Sequence, residues 1–165
     1  MLYFSYGSNM SVRRLQSRVS SARFTTTASL HKYDLRFHKK SDDGSGKCDA
    51  YATGNSEDIV WGVVFEINES EKSILDKKES LGRGYNEKDV QLITPSGEII
   101  VAFTYYAIRI AQKLKPYSWY LQHVLVGAEE NGLPGGYVEK IKRIESINDP
   151  VAGRHEREMA IYAKG

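Results

Sequence analysis

The chain has 165 residues, enough for one domain that buries about two-thirds of its unfolded surface without staples. Its 23 Lys and Arg against 21 Asp and Glu leave a net charge of +2, too balanced for a nucleic-acid footprint, although Arg13, Arg14, Arg18, Arg23, Lys39 and Lys40 make the N-terminal part locally basic. The single cysteine, Cys48, excludes an internal disulfide and fits a reducing, cytoplasmic setting, and no apolar run approaches the ~18 residues of a membrane span.

Leu2 to Tyr6 is mostly apolar or aromatic, as a buried strand requires, and it runs straight into Gly7-Ser8-Asn9. Glycine permits a positive-φ turn, and its missing Cβ lets a ligand approach the backbone amide. Ser11 caps an expected helix over Val12 to Arg18. Strand, exposed amides and helix N-terminus converge in a way that suits a carboxylate or an oxyanion. Many proteins pass from strand to helix through such a turn with nothing bound.

Ala22 to Leu30 and Tyr33 to His38 read as strands, Ser41 to Lys47 as a polar, Gly-rich loop, and Ala50 to Thr53 as a short strand. Ile59 to Ile67 is β-branched, aromatic and nearly uninterrupted, the strongest strand pattern in the chain. Asn68 with Glu71 three residues later starts a helix through Leu75 toward Glu79, stopped by Gly82-Arg83-Gly84. Tyr85 to Ile93 and Glu98 to Ala107 are strands joined by Pro95-Ser96-Gly97. Tyr120, Val124 and Ala128 share a helix face that ends at Gly132, and Tyr137, Ile141 and Ile144 repeat the pattern after Pro134. Residues 150–165 are polar, a frayed helix or tail. The whole reads as a single domain over 1–165, a mixed sheet or small barrel with helices packed around it.

Several candidate sites are weak. Asp43-Gly44-Ser45-Gly46-Lys47-Cys48 superficially resembles a phosphate loop, but Ser41 stands where the first Gly belongs and Cys48 replaces Ser or Thr. A flexible connector that overhangs a pocket is the better reading. His31, His38, His123 and His155 lack the spacing of a metal site and read as surface or packing residues. Cys48 beside Lys47 is placed for a lowered pKa, but without an evident base it is a poor nucleophile. Glu79 differs. At a helix C-terminus it opposes the dipole, either as a surface residue offset by Lys77 and Lys78 or as a proton carrier near a strand-end pocket.

Tyr3-Phe4-Ser5-Tyr6-Gly7-Ser8-Asn9-Met10 resembles the signature turn of the γ-glutamylcyclotransferase (AIG2-like) family, and Leu75-Asp76-x-x-Glu79 resembles the segment that carries its catalytic glutamate. Val60-Trp61-Gly62-Val63-Val64 is similar to its central strand, and Gly127 to Pro134 followed by Tyr137 to its paired-helix hallmark. The four landmarks stand in family order.

The resemblance implies an α+β fold built on a small mixed β-barrel with flanking helices, and neither metal nor organic cofactor. It implies a reaction in which the α-amine of a small-molecule γ-glutamyl substrate attacks its own γ-carbonyl, giving 5-oxoproline and a free amino acid or amine. Glu79 is then the general acid/base, and Tyr6, Gly7, Ser8, Asn9, Tyr85 and Tyr120 bind substrate. The turn after Glu79 is one residue shorter than in close relatives, so Tyr85 is expected to sit differently. A non-catalytic binding module on the same barrel is the alternative, and a nucleic-acid binder ranks last. The Ser41 to Lys47 loop is the expected determinant of the leaving group.

Overall fold

The computed structural model describes residues 1–163. Strands β1 (Leu2–Ser5), β2 (Arg23–His31), β5 (Ile59–Glu66), β6 (Tyr85–Ile93) and β7 (Ile99–Ala107) close into a barrel in the order β1-β5-β2-β6-β7. Neighbours are antiparallel except at the closure, where Tyr3 of β1 pairs in parallel with Phe103 of β7. The barrel is therefore mixed. In β5, Val63, Val64 and Phe65 are all fully buried, which explains the unbroken apolar run: one side faces the barrel interior and the other lies under covering elements.

Strands β3 (Tyr33–Lys40) and β4 (Gly46–Ala52) stay out of the barrel as a separate hairpin. The expected loop shrinks accordingly, because Gly46 and Lys47 already belong to β4. The ladder slips between Arg36 and Lys39, a bulge of the kind that re-aims side chains near functional sites. A backbone bond from Gly46 N to Lys115 O at 2.9 Å and a side-chain bond from Tyr117 Oη to Asp43 O at 2.7 Å tie the hairpin tip down.

Helix α1 (Val12–Arg18) forms with the expected cap, Ser11 Oγ accepting from Arg14 N. Helix α2 (Lys72–Lys78) starts later than expected, after a single 3-10 turn at Glu69–Glu71, and Asn68 makes no side-chain cap. It also stops earlier than the Gly82-Arg83-Gly84 run. Leu81 N bonds Asp76 O at 2.9 Å and Ser80 N bonds Lys77 O at 3.1 Å, a Schellman closure with Ser80 at φ 52° where glycine is usual. Helices α3 (Ser118–Glu130) and α4 (Gly135–Lys142) follow. Among the described residues no helix is long and apolar enough to cross a membrane.

The polar C-terminal segment carries helix α5 (Arg154–Ala163), while residues 164 and 165 lie outside the described residues. Met159 packs against the core, and much of the rest of its docking is polar, so that no broad apolar stripe announced it. Fully buried His123 bonds Glu158 Oε2 through Nε2 at 3.0 Å and Tyr162 Oη through Nδ1 at 2.6 Å. Arg14 reaches the same Glu158 oxygen at 2.9 Å. The His123 hydrogen bond, with Arg14, holds the Glu158 carboxyl down at about 2, below the ~4.3 of an unfolded chain. Its contribution to stability is thus complete above pH ~4.3 and is lost as pH falls through about 2. Burial lowers the His123 pKa, which weakens the helix dock in acid for the same reason. Glu158→Gln is expected to melt below the wild type at pH 7, with the gap closing by pH ~2; a gap that persists in thermal melts across that range would contradict the linkage.

Candidate active site

Two chain reversals build the site. The turn leaving β1 is a single 3-10 turn, Ser8–Met10, whose leading amides have no acceptor within the turn. Gly7 sits there at φ −116°, so the expected positive φ is not the reason for glycine. The reason is space: a Cβ would stand 3.1 Å from Cys48 Cβ and 3.4 Å from Tyr120 Oη. Facing the turn, the Schellman closure of α2 presents Glu79, its C-cap residue, one turn after Asp76. Asp76 Oδ1 accepts from Tyr105 Oη at 2.6 Å and from Lys72 Nζ at 2.6 Å. The spacing Asp76-x-x-Glu79 therefore pins α2 to β7 with the first acid and aims the second.

Between the two reversals lies a small cleft, with about 310 Å³ of space once its open mouth is counted. All the residues expected from sequence, Tyr6, Gly7, Ser8, Asn9, Glu79, Tyr85 and Tyr120, line it together. Glu79 is the only carboxylate among them. Its side chain is 17 % exposed. Glu79 Oε1 accepts from Asn9 Nδ2 at 2.9 Å and lies 3.8 Å from the Arg18 guanidinium. Arg18 also donates to Asn9 Oδ1 at 3.3 Å, and Asn9 Nδ2 lies 3.2 Å from Tyr3 Oη. Asn9 thus orients Glu79 with its side chain, a role that an amide-centred view of the turn overlooks.

The tyrosines divide their work. Tyr85 Oη donates to Cys48 O at 2.6 Å, while Tyr120 Oη accepts from Cys48 N at 3.0 Å. Together they clamp β4 over the cleft. Tyr6 Oη donates to Tyr105 O at 2.5 Å and ties β1 to β7. Burial first, and the Glu79 charge nearby, raise the pKa of Tyr3, Tyr85 and Tyr120, and burial with Asp49 raises that of Tyr6. None of the four is a tyrosinate base at neutral pH. Cys48 corrects the expectation of a lowered thiol: burial pushes it up to about 12.

Tyr3, Ser5, Thr104 and Tyr105 also line the cleft and were not chosen as site residues from sequence, and Cys48, weighed there only as a weak nucleophile, lines it too. Strand alternation along β1 was the available signal for Tyr3 and Ser5; nothing local points to the other three. Ser5 Oγ is buried there without a hydrogen-bond partner among the described residues. The histidines do have acids in space, His38 with Asp49 at 2.6 Å and His123 with Glu158. Neither pair lines the cleft.

Residues 59–141 match the AIG2-like family. The chain is 35% identical to the gamma-glutamylcyclotransferase of Homo sapiens over 99% of its own length and 88% of that protein's. It is 36% identical to the gamma-glutamylcyclotransferase of Bos taurus, covering 87% and 78%. A solved gamma-glutamyl cyclotransferase superposes with a TM-score of 0.88 at 31% identity, covering 99% of this chain and 98% of that one.

Proposed function

The chain belongs to the γ-glutamylcyclotransferase family, and from that premise we propose that it converts a γ-glutamyl amino acid or amine to 5-oxoproline and the free amine, with Glu79 as general acid/base. One observation carries the assignment: the cleft contains a single carboxylate, held by Asn9 opposite the leading amides of the Gly7–Asn9 turn.

The reaction needs a curled substrate more than it needs a nucleophile. The α-ammonium gives a proton to the Glu79 carboxylate, and the freed amine attacks the γ-carbonyl to form the ring C–N bond. The amide C–N bond then breaks as Glu79 returns that proton to the departing nitrogen, and the second proton of the ring nitrogen follows by way of Glu79. The amine thus leaves as an ammonium, the lactam nitrogen is neutral, and atoms and charge balance without water. Holding the two ends of one molecule together supplies roughly 7–11 kcal/mol of the barrier. The amides of Gly7, Ser8 and Asn9 receive negative charge, either the substrate carboxylate or the tetrahedral oxyanion; a donor in the second role contributes about 2.7–4 kcal/mol. Tyr85 and Tyr120 shape the wall and hold β4 in place. The buried free thiol of Cys48 suits a reducing, cytoplasmic compartment.

A panel of γ-glutamyl dipeptides and γ-glutamylamines, assayed for 5-oxoproline together with the released amine, tests the reading. Equimolar release of both from at least one member is expected. Binding of 5-oxoproline or glutamate analogues with no turnover across the panel would favour a binding module instead.

A further inference from the structure

A second hollow of about 420 Å³ opens from the cleft and shares Ser8, Glu79, Tyr85 and Tyr120 with it. The rest of its wall is cationic: Arg14, Arg18, Lys39, Lys47 and Lys78. Part of that charge is already matched. Arg14 pairs with Glu158 at 2.9 Å, Lys47 with Asp43 at 3.6 Å, and Arg18 lies 3.8 Å from Glu79. Lys39 and Lys78 make no ion pair among the described residues, so the hollow carries a surplus of two positive charges.

The arrangement is not that of an ordinary solvated face. Lys39 and Lys47 are direct partners in the β3–β4 ladder, a juxtaposition of like charges that destabilises a hairpin. Lys39 is only 8% exposed; its Nζ lies 4.9 Å from the Tyr85 ring and feels the charge of Glu79, but makes no ion pair among the described residues. Lys47 Nζ lies 5.0 and 4.9 Å from the Trp119 and Tyr120 rings. Burial lowers the pKa of both amines. The bulge between Arg36 and Lys39 is what brings Lys39 into register opposite Lys47. A bound anion would relieve a repulsion that the fold itself has no use for.

On the cyclotransferase reading above, Glu79 protonates the departing nitrogen, so whatever that nitrogen carries extends from Glu79 into this hollow. We propose that the hollow selects γ-glutamyl substrates whose leaving amine bears two negative charges, an acidic amino acid or a phosphorylated amine, with Lys39 and Lys47 as the specificity-determining residues.

The decisive comparison is kcat/KM for γ-glutamyl-glutamate against γ-glutamyl-glutamine, near-isosteric substrates that differ by one charge. A preference of about tenfold or more for the acidic member is expected, shrinking as salt is raised. In Lys39→Gln that ratio should fall toward one, chiefly through KM. Lys78→Gln, an exposed change on α2 that leaves the hairpin untouched, should lower the ratio more weakly. γ-Glutamyl-phosphoserine separates the two sources: faster turnover than γ-glutamyl-glutamate assigns the hollow to phosphate, slower turnover to a dicarboxylate. Equal or better use of γ-glutamyl-glutamine, or a Lys39→Gln variant that loses both substrates in parallel, would overturn the selectivity while leaving the cyclotransferase reading standing. Absence of 5-oxoproline from every substrate would remove that reading and this one with it.

Discussion

Glu79→Gln is expected to reduce turnover of every γ-glutamyl substrate by about 10²–10⁴-fold, the range for removal of a positioned general acid/base. The amide is nearly isosteric and keeps an oxygen that can accept from Asn9 Nδ2, now at 2.9 Å from Glu79 Oε1. Neither the Asp76 anchor nor the Schellman closure involves the Glu79 side chain, so α2 should stay in place and the melting temperature should move little. On the proposed mechanism Glu79 carries protons from the attacking ammonium and to the leaving nitrogen, and an amide serves neither. The loss should therefore appear in kcat, with 5-oxoproline still bound by calorimetry. Steady-state kinetics that retain wild-type kcat would sink the assignment, since the buried tyrosines and the Cys48 thiol, at about 12, offer no substitute base at neutral pH.

Most of the barrel was legible in the sequence, and the residues expected in the site line one cleft, because the informative signals are local. β5 declares itself by its uninterrupted apolar run, α1 by Ser11, and β6 and β7 by the turn that joins them. What escaped was set by distant partners. The pattern over Tyr33 to His38 identifies a strand but carries no information on which sheet receives it, and β3 pairs with β4 outside the barrel. Ser80 occupies a left-handed position that composition assigns to glycine, so α2 ends sooner than the Gly82-Arg83-Gly84 run implies. Helix α5 docks through His123, Glu158 and Tyr162, and hydrogen bonds leave no 3.6-residue apolar signature. Cys48 enters the cleft because two tyrosines from β6 and α3 grip its backbone. The cationic hollow depends on a bulge that only the β3–β4 ladder reveals.

The C-terminal landmark, Gly127 to Pro134, supplies no side chain to the cleft, yet it braces the turn that lines it. Gly127 on α3 lies so close to the turn after β1 that a Cβ would stand 2.5 Å from both Met10 Cβ and Ser11 N. Glu130 accepts from Val12 N at 2.8 Å, and Asn131 Nδ2 donates to Met10 O at 3.0 Å. The end of α3 is thus a clamp on the far side of the very turn whose amides are proposed to face the substrate. Gly127→Ala puts its methyl against backbone, which no rotamer change relieves, so either α3 or the turn must move. Overpacking of this kind costs about 1–3 kcal/mol, and displacement of the Gly7–Asn9 amides by even ~1 Å should cost on the order of 100-fold in kcat/KM. Gly135→Ala, at the open start of α4 with nothing within 4 Å of its added methyl, serves as the control and should be neutral or slightly stabilising. Melting temperatures and kcat/KM measured on the pair separate the outcomes. If Gly127→Ala lost stability but kept its catalytic rate, α3 would be yielding rather than the turn, and the clamp would be structural support without control over the site.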